Sequence, residues 1–305
     1  MVIIQVSKVD AFTDKPLEGN PAGVVFGADG LSEEYMLKIA SELNISETVF
    51  ILKPTSNKAN FKLKFYTPTS EVDLCGHATI AASYFLVKEG RIKVIEPTTI
   101  IKFETNVGII PVEVYVEKGK PKIIYMTQAT PEVKTVNINV EDVAGALRVN
   151  ISEILDTNLP IQVASTGLSF LIIPVKSLNT LLSLKPNLLK VYELSKKLKV
   201  TGFHVFTFET LDTESTVHTR CFAPYVGVFE DPVTGTANGA LGAYLVWNNA
   251  VKIIEPYTTI VSEQGYAMRR PGKAYVEVRV QDNKPIKVKV GGKAILTLKG
   301  ELRIK

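Results

Sequence analysis

The chain has 305 residues, 46% of them hydrophobic and 22% charged, which is the composition of a soluble globular protein long enough for two domains with separate cores. The formal net charge of +4 comes from interspersed acids and bases without a basic stripe carrying aromatics, which argues against a nucleic-acid partner. Two cysteines and three histidines form neither a disulfide framework nor a zinc spacing, so a metal-free, cytoplasmic protein is expected.

In chain order, residues 2–9 alternate loosely as a strand does, and the N-terminus shows no basic region or cleavage-site pattern. The glycine- and proline-rich stretch 15–23 predicts a loop, in which Asn20 before Pro21 marks a turn with an exposed amide that either touches a ligand or holds the loop. Ser32 caps a helix predicted over 31–43, with Met36, Leu37, Ile39, Ala40 and Leu43 as its apolar face. Its end delivers Glu47 just before a strand over 48–52, and a second strand closes on Phe65-Tyr66-Thr67-Pro68. Residues 73–87 then read as an uncharged helix of small residues after Asp73, followed by strands at 94–95, 99–103 and 109–116.

The charged turn at 118–120 with Pro121 is the expected linker, giving an N-terminal domain over 1–120 and a C-terminal domain over 121–291. The second domain is expected to hold a helical segment over 142–148, strands around 161–164 and 170–175, a helix over 188–198, a hairpin and a helix opening at Glu230-Asp231-Pro232. Its tail is strand and hairpin, and the last strand, about 292–305, is expected to return to the first domain. The longest uncharged run, between Asp231 and Lys252, contains too many Thr, Asn, Gly and Ala for a membrane span.

Two stretches repeat each other. Aligning Gly76 with Gly235 also pairs Ala78 with Ala237, Ala81 with Ala240 and Leu86 with Leu245. Upstream, Val49 to Pro68 and Val205 to Pro224 span the same interval, and a helical pattern precedes each hairpin. One order of elements in both halves implies an internal duplication. A helix apolar on every side belongs inside a domain, and its N-terminus offers unpaired N–H groups and a positive dipole end to a carboxylate or phosphate. Each half should therefore build one end of a small-anion site.

These motifs resemble the phenazine-biosynthesis (PhzF-type) isomerase family, whose relatives include diaminopimelate epimerase and proline racemase. The resemblance spans essentially the whole chain and rests on Asp10-Ala11-Phe12, the run 19–24, Ser46-Glu47-Thr48-Val49-Phe50, Phe65-Tyr66-Thr67-Pro68, Glu71 with Cys75-Gly76-His77-Ala78-Thr79, Ser165-Thr166-Gly167 and the run 230–237. It implies an α+β fold of two pseudo-symmetric, diaminopimelate epimerase-like domains, each a curled, mostly antiparallel sheet around a central helix. It also implies an active site in the cleft between them, a homodimer and no cofactor. Glu47 matches the catalytic carboxylate, His77 a histidine beside the substrate and Asp231 an acid on the opposite domain. Gly76, Gly235 and Thr236 match substrate-holding positions, and Asn20, Thr166 and Gly167 are further substrate-binding candidates. The two cysteines of diaminopimelate epimerase fall on Cys75 and Thr234, so a two-cysteine mechanism lacks one partner here.

The implied activity is cofactor-independent proton transfer, a double-bond shift or an epimerisation, on a small carboxylate-bearing molecule. Alternatives are a cysteine-assisted amino-acid epimerase and a catalytically silent small-acid-binding dimer. A carboxylate with this task should be desolvated, so Glu47 is expected to titrate nearer neutrality than an ordinary acid. The helix dipole is expected to keep His77 neutral. A small buried thiol is the expected state of Cys75.

Overall fold

The computed structural model describes residues 2–304; Met1 and Lys305, at the outer ends of the expected first and last strands, lie outside the described residues. The chain divides into two compact units, Met1–Thr127 with Gly291–Lys305, and Gln128–Val290.

The first unit contains β1 (Val2–Ala11), β2 (Asn20–Phe26), α1 (Glu33–Leu43), β3 (Glu47–Leu52), β4 (Phe61–Tyr66), β5 (Glu71–Val72), α2 (Gly76–Lys88), β6 (Thr98–Thr105), β7 (Gly108–Glu117) and β8 (Lys120–Thr127). Most neighbours run antiparallel, while β2–β3 and β4–β6 run parallel because a helix, α1 or α2, carries the chain back between them. The turn at 118–119, where the sequence suggested a change of domain, closes the β7–β8 hairpin, and the unit continues to Thr127. Its hydrogen bonds explain why: a charged turn inside a continuing strand pair is a hairpin, and composition alone does not separate it from a linker.

Helix α1 begins as its sequence dictates. The Ser32 hydroxyl accepts from the Tyr35 N–H, Glu33 and Glu34 face the positive dipole end, and Met36, Ile39 and Ala40 form its buried stripe. Helix α2 has no such stripe; from His77 to Val87 nearly every side chain is buried, and it packs against β1, β2, β3, β7 and β8. Contact with strands from both ends of the series means that the sheet curls around it. Residues 94–95 are irregular rather than a strand, and the Thr99 hydroxyl holds Ile95 by accepting from its N–H and donating to its carbonyl.

The second unit repeats this order with β9 (Glu132–Thr135), α3 (Val140–Leu147), α4 (Ser152–Leu155), β10 (Gln162–Ser165), β11 (Ser169–Pro174), α5 (Leu178–Ser183), α6 (Leu188–Leu198), β12 (Gly202–Thr207), β13 (Val217–Ala223), β14 (Val228–Asp231), α7 (Gly235–Trp247), β15 (Tyr257–Gln264), β16 (Gly272–Gln281) and β17 (Lys284–Gly292). Strands β11–β12 and β13–β15 are its parallel pairs, matching β2–β3 and β4–β6. Helix α7, buried from Ala237 to Val246, packs against β9, β10, β11, β15 and β16. A Cβ on Gly242 would stand 2.6 Å from Val276 Cγ1, so the glycine lets the helix backbone approach β16. The last strand, β18 (Ala294–Ile304), pairs antiparallel with β1 in the first unit.

The duplication extends to polar detail. Glu104 on β6 accepts from the Thr55 and Ser56 N–H groups and lies 3.4 Å from Lys62, while Glu263 on β15 accepts from the Leu211 and Asp212 N–H groups and lies 2.7 Å from His218. Lys64 pairs with Glu71 at 3.5 Å, and Arg220 with Glu230 at 2.8 Å. The hairpins nevertheless differ by one residue in register. Val49 opposes Phe65, three residues before Pro68, whereas Val205 opposes Arg220, four before Pro224. Equal intervals in sequence thus hide a one-residue offset, which the loops absorb.

Candidate active site

Glu47 opens β3, where its backbone pairs with Ala22, and its side chain is 19% exposed. His77 is the second residue of α2 and is buried, with Cys75 as the N-cap residue. The three converge: Glu47 Oε2 lies 3.2 Å from His77 Nε2, and Cys75 Sγ lies 3.4 Å from His77 Nδ1. Ser46 Oγ donates to the Pro21 carbonyl at 3.3 Å and stands 3.5 Å from His77 Nε2. The one Ser46 proton goes to the Pro21 carbonyl or to the Glu47 carboxylate, and in either case the hydroxyl meets the ring as an acceptor, which agrees with an N–H at Nε2.

The protonation of this cluster corrects two expectations. Burial pushes the Glu47 carboxyl up, but the charge of His77 and hydrogen bonds from His77 and Ser46 outweigh it and hold Glu47 below the usual carboxylate range. Burial works against the His77 cation as well. The Glu47 charge, and the hydrogen bonds to Glu47 and Cys75, win and raise His77 above the ordinary histidine range. The sequence suggested the opposite because the helix dipole contributes only about 0.3–1 kcal/mol. Opposite unit charges 4 Å apart at an effective dielectric of 20 attract by about 4 kcal/mol. The pair therefore rests as carboxylate and imidazolium. The Cys75 thiol is pushed up by burial and then by the Glu47 charge, so it stays protonated, as expected of a packed thiol.

Glu47, Cys75 and His77 also place one donor atom each within 4.8 Å of one another, a grouping that could hold a metal ion and that no sequence spacing reveals. Both ring nitrogens of His77 are already hydrogen-bonded, one to the carboxylate and one to the thiol, and this suits proton sharing. No side chain caps α2, and a Cβ on Gly76 would meet nothing within 4 Å among the described residues, which leaves the helix start approachable.

In the second unit Asp231 ends β14, opposite Cys221, and Pro232 and Val233 lead to the N-cap residue Thr234. The helix starts at Gly235, where the alignment with Gly76 put it, and the acids before it lie outside the helix because strand pairing holds Asp231 and Arg220 holds Glu230. Thr234 Oγ1 donates to Asp231 Oδ2 at 2.5 Å. Helix α7 is likewise uncapped by any side chain, with Gly235 and Thr236 as its first two residues. Thr166 is buried and donates to the Thr236 carbonyl at 3.4 Å, while Gly167 turns the chain with φ +128°. Asn20 departs from expectation: it is fully buried as the first residue of β2, opposite Ala11, because the β1–β2 ladder reaches it. Gln264, Asn238 and His204, which join Thr234 in one buried network, were not singled out from the sequence.

Among the described residues, no helix is long and apolar enough to cross a membrane. An uncharacterized isomerase of Clostridium acetobutylicum is 42% identical over 297 residues, covering 97% of this chain and 96% of its own. The crystal structure of a phenazine biosynthesis protein of the PhzF family from Bacillus anthracis superposes with a TM-score of 0.91 at 34% identity, over 100% of both chains. At 15% identity, a hydroxyproline epimerase from Agrobacterium vitis shares the fold, with a TM-score of 0.68 over 98% of this chain and 91% of its own. The family model of phenazine biosynthesis-like proteins, PhzC-PhzF, matches residues 9–300, and the chain belongs to that family.

Proposed function

We propose that this protein is a cofactor-independent isomerase that moves a proton within a small carboxylate-bearing substrate, with Glu47 as base and His77 as the acid beside it. The observation that carries this reading is the 3.2 Å contact between Glu47 Oε2 and His77 Nε2, in which one group is ready to accept a proton and the other to donate one. The open start of α2, at Gly76 and His77, supplies N–H groups and a positive dipole end for the substrate carboxylate. By its motif Asp231 is a further ionisable group of the chemistry, with Gly235 and Thr236 as carboxylate-holding positions and Thr166 and Gly167 supporting them. The family resemblance supports a homodimer in the cytoplasm.

The contact also favours one of the two reaction types. Epimerisation removes a proton from one face of a carbon and returns it to the other, so its acid and base must flank that carbon. Glu47 and His77 touch, and no carbon fits between them. Groups side by side suit removal and return on one face, which is a double-bond shift.

The test is a panel of small amino and unsaturated carboxylic acids incubated in deuterated water and read by proton NMR. The expected result is solvent deuterium in one member with wild-type protein and loss of that uptake in Glu47→Gln, with binding of the same acid retained. Undiminished uptake by Glu47→Gln would overturn the assignment of the base.

A further inference from the structure

We propose that Gln264 and Thr234 form a one-way hydrogen-bond relay that positions Asp231 and keeps its Oδ2 atom an acceptor. The inference deepens the reading above, since it rests on Asp231 being an ionisable group of that chemistry.

The direction of the relay follows from backbone groups that cannot change role. The Thr234 N–H donates to Gln264 Oε1 at 3.1 Å, and the Asp231 carbonyl accepts from Gln264 Nε2 at 2.9 Å. Rotating the Gln264 amide by half a turn would set donor against donor and acceptor against acceptor, so its orientation is fixed. Gln264 Nε2 also donates to Thr234 Oγ1 at 3.2 Å. With that donor on its oxygen, the Thr234 hydroxyl directs its one proton to Asp231 Oδ2, 2.5 Å away. Cys221 also touches Thr234, but burial first, and then the Asp231 charge, keeps its thiol protonated, and a neutral thiol is a weak acceptor.

The inner end of the relay is fixed by the same logic. Asn238 Nδ2 donates to the Thr234 carbonyl at 3.0 Å and to Gln264 Oε1 at 2.8 Å, so its Oδ1 must accept from His204 Nε2 at 3.3 Å. His204 is fully buried; burial, opposed by its bond to Asn238, lowers it to about 4, and its Nδ1 has no hydrogen-bond partner among the described residues. It is therefore a neutral ring carrying its proton on Nε2. Gln264 and Asn238 are buried too. Every member has one permitted donor sense, and the series ends on a carboxylate oxygen.

Among the described residues, the first unit has no equivalent. Its strand after the helix ends in Thr105 where β15 ends in Gln264, and the Thr105 hydroxyl donates to the nearby Gly108 carbonyl. Cys75 stands before α2 where Thr234 stands before α7. Other ionisable groups on elements packed against β14 are His218, Arg220 and Cys221 on β13 and Tyr225 in the turn Pro224–Val226, whose ring meets that of Tyr192 on α6. His218 is committed to Glu263 and Arg220 to Glu230.

The experiment is a carbon-13 titration of the Asp231 carboxyl in full-length protein, assigned by comparison with Asp231→Asn. Thr234→Val and Gln264→Met should raise its midpoint by about one pH unit or more, the effect of losing a charge-assisted hydrogen bond. Thr234→Ser, which keeps the hydroxyl, should restore the wild-type midpoint. An unchanged midpoint in folded Thr234→Val would overturn the relay. So would nitrogen-15 spectra of wild-type protein placing the His204 proton on Nδ1, a reading that needs no variant to fold. Deuterium uptake by Asp231→Asn separates the two ideas: full uptake removes Asp231 from the chemistry and leaves the titration result standing.

Discussion

The two central helices begin alike and end up in different chemical states. At the start of α2 the polar groups are Glu47, His77 and Cys75, all able to exchange protons. At the start of α7 they are Thr234, Gln264 and Asn238, whose hydrogen bonds have one permitted sense and end on the carboxylate of Asp231. A duplicated fold has kept its framework, down to the acids that cap both hairpins, while one copy holds a mobile proton and the other holds dipoles still. The strand pairs show where they parted. Glu47 opposes Ala22 at the start of the parallel pair β2–β3, and Gly202 opposes Phe170 at the start of β11–β12. A Cβ on Gly202 would lie 2.3 Å from the Phe222 carbonyl oxygen, so the second copy has no room for an acid at the position of Glu47.

The largest effect expected from breaking this contrast is on turnover. Glu47→Gln should lower deuterium uptake by about 10³-fold or more, the upper part of the range for a general base, with ligand affinity largely kept. Placing an acid in the second copy should act on stability instead. Gly202→Glu should cost about 3 kcal/mol or more in denaturant unfolding, because the clash is with backbone, and a well-folded Gly202→Glu would show that the halves differ for another reason.

The next effect is a pH window. Glu47 is held below its unfolded range, so its contribution is present above pH 4–5 and is lost as pH falls through its folded value. His77 is held above its unfolded value near 6.5, so its contribution is complete below that and is lost as pH rises through its folded value. Thermal stability should therefore be greatest between about pH 5 and 6.5 as far as this pair is concerned, and His77→Asn should remove both limbs; an identical profile in that variant would contradict the ion pair. The smallest effect should come from Cys75→Ser. The thiol packs beside His77 and stays protonated, so most deuterium uptake should survive. A loss as deep as that of Glu47→Gln would instead support a cysteine-assisted epimerase.

Much of this contrast was legible in the sequence. The uncharged small-residue runs after Asp73 and Asp231 marked both central helices, and the parallel order of motifs marked the duplication. Glu47 stood out at the start of an apolar strand. The protonation of the site was not legible, because it depends on a contact between residues 30 positions apart on different elements, and neither desolvation nor a helix dipole read alone gives its sign. Asn20 looked like a turn residue because Pro21 follows it, yet the ladder to Ala11 draws both into β2. Gln264 carried no signal at all: a glutamine at the end of a strand becomes informative only when Asp231 and Thr234 are seen around it.

The central claim is that the first helix holds a carboxylate–imidazolium pair. Nitrogen-15 spectra of histidine-labelled protein at pH 7.5 test it without any substrate. With three histidines in the chain, His77 is assigned by His77→Asn. His77 is expected to be protonated on both ring nitrogens in wild-type protein and neutral in Glu47→Gln. A neutral His77 in the wild type, or one that stays doubly protonated after Glu47 is neutralised, would contradict it.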